Sequence, residues 1–441
     1  MKKFLWFALL IFFSYSTITA QKNQFGNHLI SNYTQEEYNA ASQNWSIVQD
    51  KRGVIYVGNE GVVLEYDGEN WRKIPNNNGS YVRSLASDKE GTIYVGSSNE
   101  FGVLKPNKRG EMVYRELSAG IDSSFKDVWN IYVANEAVYF STASNLIFKY
   151  KNDSVRTISY DSKFHFLDFY VNGTLYMGDY RKGLLELNER DKPVIAKGGA
   201  FYEKKDIFSI LPFRENKLFV TVSGEGIYIY NEITGESRPV STLGGAFKEL
   251  NNYLKKVRVY NGTLLSNGDY AFGSLDDGLI IVDGEAGKIK YHYTDKNGLI
   301  DPTVINVYES HSKNIWLALN KGIAKISYGA PFTYFGKKEG LQGIAFDAIR
   351  FDNHFYVGTS SGVYKQDFDE RGMPYFEKLP LIQNQVRSFV DYKHPVTGDR
   401  FLIAGTHKGT YNITNAKNIA KLRNDDSYNK ANIIKPSRFD S

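Results

Sequence analysis

A serine between two glycines is the first pattern in the sequence that could do chemistry. Gly358-Thr359-Ser360-Ser361-Gly362 has the G-x-S-x-G spacing of a serine nucleophile. Such a serine reacts only where a sharp strand-to-helix turn exposes its hydroxyl. Here the segment coincides with the turn of a strand repeat that recurs along the chain. We therefore interpret it as a structural turn and expect no catalytic serine.

Metal chemistry has equally little support in the sequence. The seven histidines show neither the H-x-H nor the H-E-x-x-H spacing of a metal site. Asp276-Asp277-Gly278 hints at calcium, but a calcium loop needs several oxygens at short spacing and a further acidic ligand. We expect a solvated turn there, with no metal and no cofactor. A pair of carboxylates brought together from different repeats could still catalyse hydrolysis, and the sequence alone does not test this.

A repeated strand motif organises the chain. It reads apolar, Tyr, Val, Gly, then a short polar loop and a second apolar strand. It is clearest at Ile55–Gly58, Ile93–Gly96 and Phe355–Gly358, and weaker copies bring the total to nine, about 43 residues apart, ending at Gly405. A period of roughly 40 to 50 residues built from short strands is typical of a β-propeller with four strands per blade. The sequence therefore predicts an all-β propeller.

Each repeat also predicts where its strands lie. The motif is apolar on both faces, so we expect a middle strand between neighbouring blades, and we expect its closing glycine to mark a tight turn. The apolar run before it, such as Val82–Leu85, should be the innermost strand at the channel. Asp67-Gly68 and Asn261-Gly262 have the composition of hairpin turns. Ala246–Lys256 is the one segment with a helical pattern.

Nine copies exceed the four to eight blades usual in one propeller. We predict a signal peptide at residues 1–20, a seven-bladed propeller at residues 21–330 and an incomplete second propeller at residues 331–441. The second would hold blades 8 and 9 and, at Ile433–Asp440, the start of a tenth. The alternative is a single nine-bladed ring.

Composition bounds the location and the partners. Two lysines, an apolar run and a small-residue stretch ending at Ala20 predict a cleaved secretory signal, and therefore a periplasmic or otherwise extracytoplasmic protein. The chain has no cysteine, so packing and not disulfides must stabilise it. The formal net charge is only +5 and the basic residues are interspersed with acidic ones, which disfavours nucleic acid as a partner.

Several segments of the repeats resemble one known family. They are Gln43–Ile47, Leu64–Trp71, Val82–Leu85, Asn99–Gly102 and Asn267–Gly273. In order and content they resemble the two-component regulator propeller repeats, found in the extracytoplasmic sensor regions of hybrid two-component or helix-turn-helix envelope regulators of Bacteroidota. The resemblance covers essentially the whole chain after the signal peptide.

The resemblance implies a sensing role without catalysis. In that family a small β-sandwich, a transmembrane helix and a cytoplasmic output follow the propellers. We find none of these in the sequence, and expect a fragment, a truncated gene product or a subunit without its output. The membrane would be reached only through the missing C-terminal parts, and the full-length regulator could form a homodimer. A secreted polysaccharide hydrolase or lyase and a passive protein-interaction scaffold are the alternatives.

Two sets of loops should surround the channel mouth on one face of such a propeller, where ligands bind. One set enters the innermost strands and the other follows each motif. Their aromatic faces and polar groups would suit a small molecule or an oligosaccharide, unless the aromatic rings only pack between blades. The candidate ligand-binding residues are Trp45, Arg83, Trp129, Asn99, Glu100, Asp179 and Arg181. Further members of the two sets are Phe208, Lys255, Tyr180, Glu225, Asp276 and Asp277.

Overall fold

A computed structural model describes residues 26–134, 137–144, 146–160, 165–369, 374–415 and 418–422. The predicted signal peptide and the predicted start of a tenth blade lie outside these residues. The chain divides into two compact units. The first unit is His28–Pro331, and the second consists of the described residues from Phe332 onward together with Gly26 and Asn27.

The described part of the first unit holds seven four-stranded antiparallel sheets, which confirms the predicted all-β propeller class. Sheets 1 to 6 each use four consecutive strands, and sheet 7 takes its outermost strand from the start of the unit. From the innermost strand outward, the strands are as follows. Sheet 1 is Ser46–Gln49, Ile55–Gly58, Val62–Tyr66 and Trp71–Pro75; sheet 2 is Val82–Ser87, Ile93–Ser97, Phe101–Pro106 and Met112–Glu116; sheet 3 is Val128–Ala134, Ala137–Thr142, Leu146–Lys151 and Ser154–Ser159; sheet 4 is His165–Val171, Thr174–Asp179, Gly183–Leu187 and Pro193–Ile195; sheet 5 is Ile207–Pro212, Lys217–Val222, Gly226–Asn231 and Ser237–Pro239; sheet 6 is Val259–Leu264, Tyr270–Ser274, Leu279–Val282 and Ile289–Tyr293; sheet 7 is Val304–Glu309, Ile315–Leu319, Ile323–Ile326 and Ile30–Tyr33.

The first unit is a closed ring. Each innermost strand packs against the innermost strand of the next sheet, and that of sheet 7 packs against that of sheet 1. The strand Ile30–Tyr33 pairs antiparallel with Ile323–Ile326, so the start and the end of the unit share one sheet. Main-chain hydrogen bonds therefore hold the ring shut, which leaves that edge of sheet 7 paired.

All nine copies of the strand motif lie in the second strand of a sheet. Every residue of Ile55–Gly58 and of Ile315–Leu319 is buried. A strand buried on both faces needs apolar residues on both, and the motif supplies them. The prediction of a middle strand between neighbouring blades is confirmed.

The closing glycine of the motif does a different job from the one predicted. Gly96 is part of its strand, and a Cβ atom there would lie 2.4 Å from Ser84 Oγ and 2.6 Å from Val128 Cγ1. At Gly58 the nearest atom would be Val82 O, at 2.6 Å. The prediction of a tight turn at this glycine was wrong. The glycine lets the first residue of the next sheet approach the strand.

Asn261-Gly262 was also predicted wrongly. It lies within the innermost strand of sheet 6, Val259–Leu264, and makes no hairpin turn. The side chain of Asn261 accepts a hydrogen bond from the Val307 main-chain N–H at 3.2 Å. Tertiary contacts with sheet 7 thus override the local turn preference of the dipeptide.

Helices are few in the described residues. The predicted helix is confirmed as Gly245–Leu254 and ends two residues earlier than expected. Its Phe247, Leu250 and Leu254 are buried against sheets 5 and 6. A short helix, Gln35–Tyr38, follows the closing strand. Single 3-10 turns occur at Ser123–Phe125, Gly199–Tyr202, Val240–Leu243 and Lys337–Glu339. None of the described helices is long and apolar enough to cross a membrane.

The second unit contains two four-stranded sheets in its described residues. Its buried core includes Tyr356, Val363 and Leu402. The predicted extent of the second propeller stays a prediction. Sheet 8 is Ala345–Phe351, His354–Thr359, Gly362–Phe368 and Pro374–Lys378, and sheet 9 is Val386–Lys393, Arg400–Thr406, Gly409–Asn412 and Ala420–Lys421.

Candidate functional site

A β-bulge near the start of the innermost strands sets the geometry of the channel. In sheets 2 to 7 the innermost strand carries one extra residue relative to its partner strand. The extra residue is Arg83 in sheet 2, Trp129 in sheet 3 and Tyr260 in sheet 6. A bulge leaves this residue unpaired and redirects its side chain. We call these positions, together with Trp45 of sheet 1, the bulge positions.

The residue after each bulge position is small and polar, and in four sheets it ties neighbouring innermost strands together. Asn306, for example, accepts a hydrogen bond from the Ile47 N–H and so joins sheet 7 to sheet 1. We call these four residues the linking residues. The links are Ser46 Oγ accepting from Leu85 N at 3.1 Å, Ser84 Oγ donating to Val128 O at 2.7 Å, Asn261 Oδ1 accepting from Val307 N at 3.2 Å and Asn306 Oδ1 accepting from Ile47 N at 3.2 Å.

A cavity of about 320 Å³ lies where the innermost strands of all seven sheets meet. Its volume is at the lower end of the range for small-molecule sites, roughly 300 to 1,000 Å³. Among the described residues that line it, only Arg83 and Asp168 carry a charge. In chain order, the bulge positions around it hold Trp45, Arg83, Trp129, Leu167, Phe208, Tyr260 and Ile305.

Aromatic rings surround the Arg83 guanidinium. Its Cζ atom lies 3.8 Å from the centroid of Trp45, 4.9 Å from that of Trp129 and 4.7 Å from that of Tyr81. The two indole rings meet edge to face, with centroids 6.1 Å apart. Cation–π attraction of this kind is worth about 0.5 to 2 kcal/mol per contact, more where water is excluded. The rings therefore hold the cation in place at the cavity.

The hydrogen-bonding capacity of this cluster is unfilled. Arg83 Nε and Nη1 and Trp45 Nε1 are buried and have no hydrogen-bond partner among the described residues. Asp127 Oδ2 lies 3.4 Å from Arg83 Nε as an ion pair, but it does not accept a hydrogen bond from that atom. A buried donor without an acceptor costs about 1 to 3 kcal/mol. Such a group calls for an explanation, and a ligand is one.

The other polar groups of the cavity are arranged differently. The Ser141 hydroxyl donates a hydrogen bond to Asp168 Oδ2, and the Tyr132 hydroxyl donates one to the Asp168 carbonyl. Burial raises the pKa of Tyr260, and the Arg83 guanidinium opposes that rise. Because the net direction is upward, the Tyr260 hydroxyl keeps its proton at neutral pH and can donate a hydrogen bond.

The structure brings three of the predicted ligand-binding residues together and separates four from them. Trp45, Arg83 and Trp129 line the cavity with Phe208. Asn99, Glu100 and Arg181 lie in the loops after the second strands of sheets 2 and 4, and Asp179 is the last residue of the second strand of sheet 4; none of the four lines the cavity. Ligand binding by any of the seven stays a prediction.

The polar residues of these loops mainly hold the loops in shape. Asn99 Oδ1 accepts a hydrogen bond from the Lys126 N–H at 3.1 Å, which ties the loop to the entry of sheet 3. Asp179 is 1% exposed, and its Oδ1 accepts from the Arg181 and Lys182 N–H groups. Burial raises the pKa of Glu100. Tyr180, Glu225, Lys255, Asp276 and Asp277 do not line the cavity either.

Tyr260 and the linking residues were not among the sequence candidates. The signal for them is a tripeptide at the start of each innermost strand: a variable residue, a small polar residue, then usually an apolar one. It is visible in Trp45-Ser46-Ile47 and Arg83-Ser84-Leu85. In sheet 6 the tripeptide is Tyr260-Asn261-Gly262, where Asn-Gly suggested a turn and concealed the match.

The serine pattern and the metal hints give no catalytic arrangement in the described residues. Ser360 lies in the turn between the strands His354–Thr359 and Gly362–Phe368, and its Oγ accepts a hydrogen bond from the Ile344 N–H at 3.0 Å. The interpretation of this pattern as a turn between strands is confirmed. No group of three or more His, Asp or Glu side chains in the described part of the chain is placed to hold a metal ion.

No protein-family model and no curated protein matches the chain. Solved structures do match. The extracellular domain of a protein assigned as a hybrid two-component system of B. thetaiotaomicron superimposes with a TM-score of 0.63 at 16% identity, covering 90% of this chain and 55% of that one. The extracellular domain of a one-component system of the same bacterium gives 0.53 at 17% identity, covering 91% and 55%.

Enzymes also share the architecture. A streptogramin B lyase superimposes with a TM-score of 0.51 at 12% identity, covering 69% of this chain and 99% of the lyase. Identities this low establish the fold alone, and the chain spans about half the length of the two B. thetaiotaomicron domains. The chain has the propeller fold of extracellular domains from two-component and one-component systems, the kind of protein that its repeats resemble in sequence.

Proposed function

We propose that this chain is the extracytoplasmic ligand-sensing region of a two-component-type regulator, and that it binds a small molecule or an oligosaccharide without catalysing a reaction on it. The observation that carries the proposal is the central cavity of the first unit, where Arg83, Trp45 and Trp129 converge with unfilled hydrogen-bond donors. The fold shared with extracellular domains of signalling proteins supports it.

The cavity suits sensing because a bound ligand would touch every sheet at once. The innermost strands of all seven sheets line it, and side chains tie several of these strands to their neighbours. A ligand that prefers one arrangement of the ring shifts the population toward that arrangement. In a full-length regulator, which we propose to be a homodimer, C-terminal parts of the kind that the resemblance implies would carry the shift across the membrane.

Calorimetry and thermal-shift measurements with neutral and acidic mono- and oligosaccharides test the proposal. We expect at least one saccharide to bind and to raise the melting temperature. Trp129→Ala should weaken that binding by about tenfold or more, since it removes a ring from the cavity. Phe201→Ala is the matched control, because Phe201 is an aromatic residue that is 44% exposed and does not line the cavity.

Two results would contradict the proposal. Release of products from a glycan, abolished by Asp168→Asn, would establish the enzyme alternative, because Asp168 is the one acidic residue in the described lining of the cavity. Binding that Trp129→Ala leaves unchanged would place the site elsewhere. Circular dichroism of each variant shows whether the sheets are intact.

A further inference from the structure

We propose that the central cavity selects a sugar acid, and that the guanidinium of Arg83 binds its carboxylate. This inference rests on the proposed function, since it names the class of ligand for the same cavity. It follows from the balance of hydrogen-bond donors and acceptors, from the charge of the lining and from the size and aromatic character of the space.

The polar groups left for a ligand are mainly donors. The side-chain oxygens of three linking residues accept hydrogen bonds from neighbouring strands, and Asp168 Oδ2 already accepts one from Ser141. Arg83 Nε and Nη1 and Trp45 Nε1 have no acceptor among the described residues. The Tyr260 hydroxyl is a further donor. The side-chain amide of Asn130 offers one donor group and one acceptor group, so it does not change the excess of donors. A complementary ligand therefore supplies acceptor oxygens.

The cation in the lining favours an anionic acceptor. The described lining holds one cation, Arg83, and one anion, Asp168, which already accepts a hydrogen bond from Ser141. Asp127 makes an ion pair with Arg83 at 3.4 Å without hydrogen-bonding Nε. The Ser98 hydroxyl donates to Asp127, so that carboxylate has another partner. A planar guanidinium matches the two oxygens of a carboxylate, and hydrogen bonds between ionised groups are about twice as strong as neutral ones.

Aromatic rings keep the guanidinium from leaving the cavity. Trp45 covers one face at 3.8 Å, and Trp129 and Tyr81 lie within 5 Å. The side chain of Arg83 is only 14% exposed. A ligand carboxylate consequently meets a cation that is already held in place, so little side-chain entropy is lost on binding.

The remaining lining fits the ring of a sugar. Trp129, Phe208 and Tyr260 present aromatic surface to the cavity, and the rings of Phe208 and Tyr260 lie 5.8 Å apart. Aromatic faces pack against the C–H groups of a pyranose, while polar groups fix its orientation. A volume of about 320 Å³ suits one sugar residue better than a chain. A hexuronate, free or at the end of an oligosaccharide, meets these requirements.

Calorimetry with D-galacturonate and D-glucuronate, compared with D-galactose and D-glucose, tests the inference. Each pair differs only in the carboxylate. We expect the acids to bind at least tenfold more tightly than the neutral sugars. Arg83→Gln should weaken acid binding by about 10- to 100-fold and should leave the weak binding of the neutral sugars within about twofold.

Arg387 provides a matched control. The innermost strand of sheet 9, in the other unit, also has a β-bulge, and Arg387 is its extra residue; its Cζ lies 5.0 Å from the ring of Phe346. Arg387→Gln makes the same chemical change outside the cavity and should leave acid binding unchanged. Arg83→Lys keeps the charge but loses the planar fork, and we expect it to bind the acids with intermediate affinity. This variant also supplies the test if Arg83→Gln does not fold.

Each contrary outcome has a distinct meaning. Equal binding of acids and neutral sugars, or acid binding that withstands both Arg83 variants, overturns the inference. If neutral sugars bind and Trp129→Ala abolishes their binding, the proposed function stands while the inference fails. If no saccharide of either class binds, both fail. If inorganic phosphate or sulfate binds as tightly as the uronates and with the same dependence on Arg83, the conclusion that the cavity selects a sugar is overturned.

Discussion

The substitution Gly96→Ala should destabilise the first unit because no space exists for the added methyl group. The new Cβ would lie 2.4 Å from Ser84 Oγ and 2.6 Å from Val128 Cγ1. Overpacking of this kind costs about 1 to 3 kcal/mol. Displacing Ser84 also weakens its 2.7 Å hydrogen bond to Val128 O, worth about 1 kcal/mol. Alanine also lowers the conformational entropy of the unfolded chain, which stabilises the folded state by about 0.4 to 1 kcal/mol. The net expectation is a loss of about 1 to 3 kcal/mol.

Gly178 provides an internal control for this prediction. It closes the strand motif of sheet 4, yet a Cβ there would lie 3.5 Å from Leu167 O and 3.6 Å from Ile207 Cβ, which is ordinary contact. Gly178→Ala should therefore leave stability unchanged or raise it by up to about 1 kcal/mol.

Urea denaturation followed by tryptophan fluorescence measures both changes. The tryptophans of the described residues all belong to the first unit, so their fluorescence reports its unfolding. Equal destabilisation by the two substitutions would refute the reasoning, since it would mean that the glycine serves the conformation of its own strand and not the approach of the next sheet. The tryptophans concerned are Trp45, Trp71, Trp129 and Trp316.

Three further predictions concern the closure of the ring. Asn306→Ala should cost about 1 to 3 kcal/mol because it leaves the Ile47 N–H without its acceptor, whereas Asn306→Asp should retain most of the stability in the same urea assay. Burial lowers the pKa of His28, which lies beside the closing strand, to about 4, below its usual value near 6.5. The contribution of neutral His28 to the free energy of unfolding is therefore complete above pH 6.5 and is lost as pH falls toward 4. His28→Phe should reduce the difference in the free energy of unfolding between pH 7 and pH 4 by about 1 to 2 kcal/mol, after allowance for solvent screening. Removing the chain up to Tyr33 should expose the edge of Ile323–Ile326 and cause concentration-dependent association in light scattering; a truncated chain that stays monomeric would contradict this.

The strand framework was predictable because its local pattern and its tertiary environment coincide. A middle strand such as Ile315–Leu319 is buried on both faces, so its residues are apolar whatever sheet surrounds them. The glycine within most copies of the motif was recognisable too, but its purpose was not. Whether a Cβ is excluded depends on where Val128 of the next sheet lies, and no local pattern contains that distance.

The candidate site was predictable in part for the same reason. Trp45, Arg83 and Trp129 occupy equivalent positions in successive repeats, and equivalent positions in a ring face one axis. The loop residues were less predictable, because a polar side chain in a loop can bind a ligand or its own main chain with the same sequence. Asn99 accepts a hydrogen bond from the main chain at the entry of sheet 3, and Asp179 accepts one from the main chain of the loop that follows it. Only the folded structure distinguishes these uses.

In the tripeptide at the start of each innermost strand, different residues hold the sheets together and line the cavity. In four sheets the middle residue of this tripeptide, such as Ser46 or Asn306, bonds to a neighbouring innermost strand, while the residue before it lines the cavity without taking part in that bond. The side chains facing the axis can therefore be exchanged one at a time without disturbing the bonds between sheets. Shuffling whole blades between related propellers would carry each such side chain along with its own attachment, so a new chemical preference could evolve, or be engineered, on an unchanged frame.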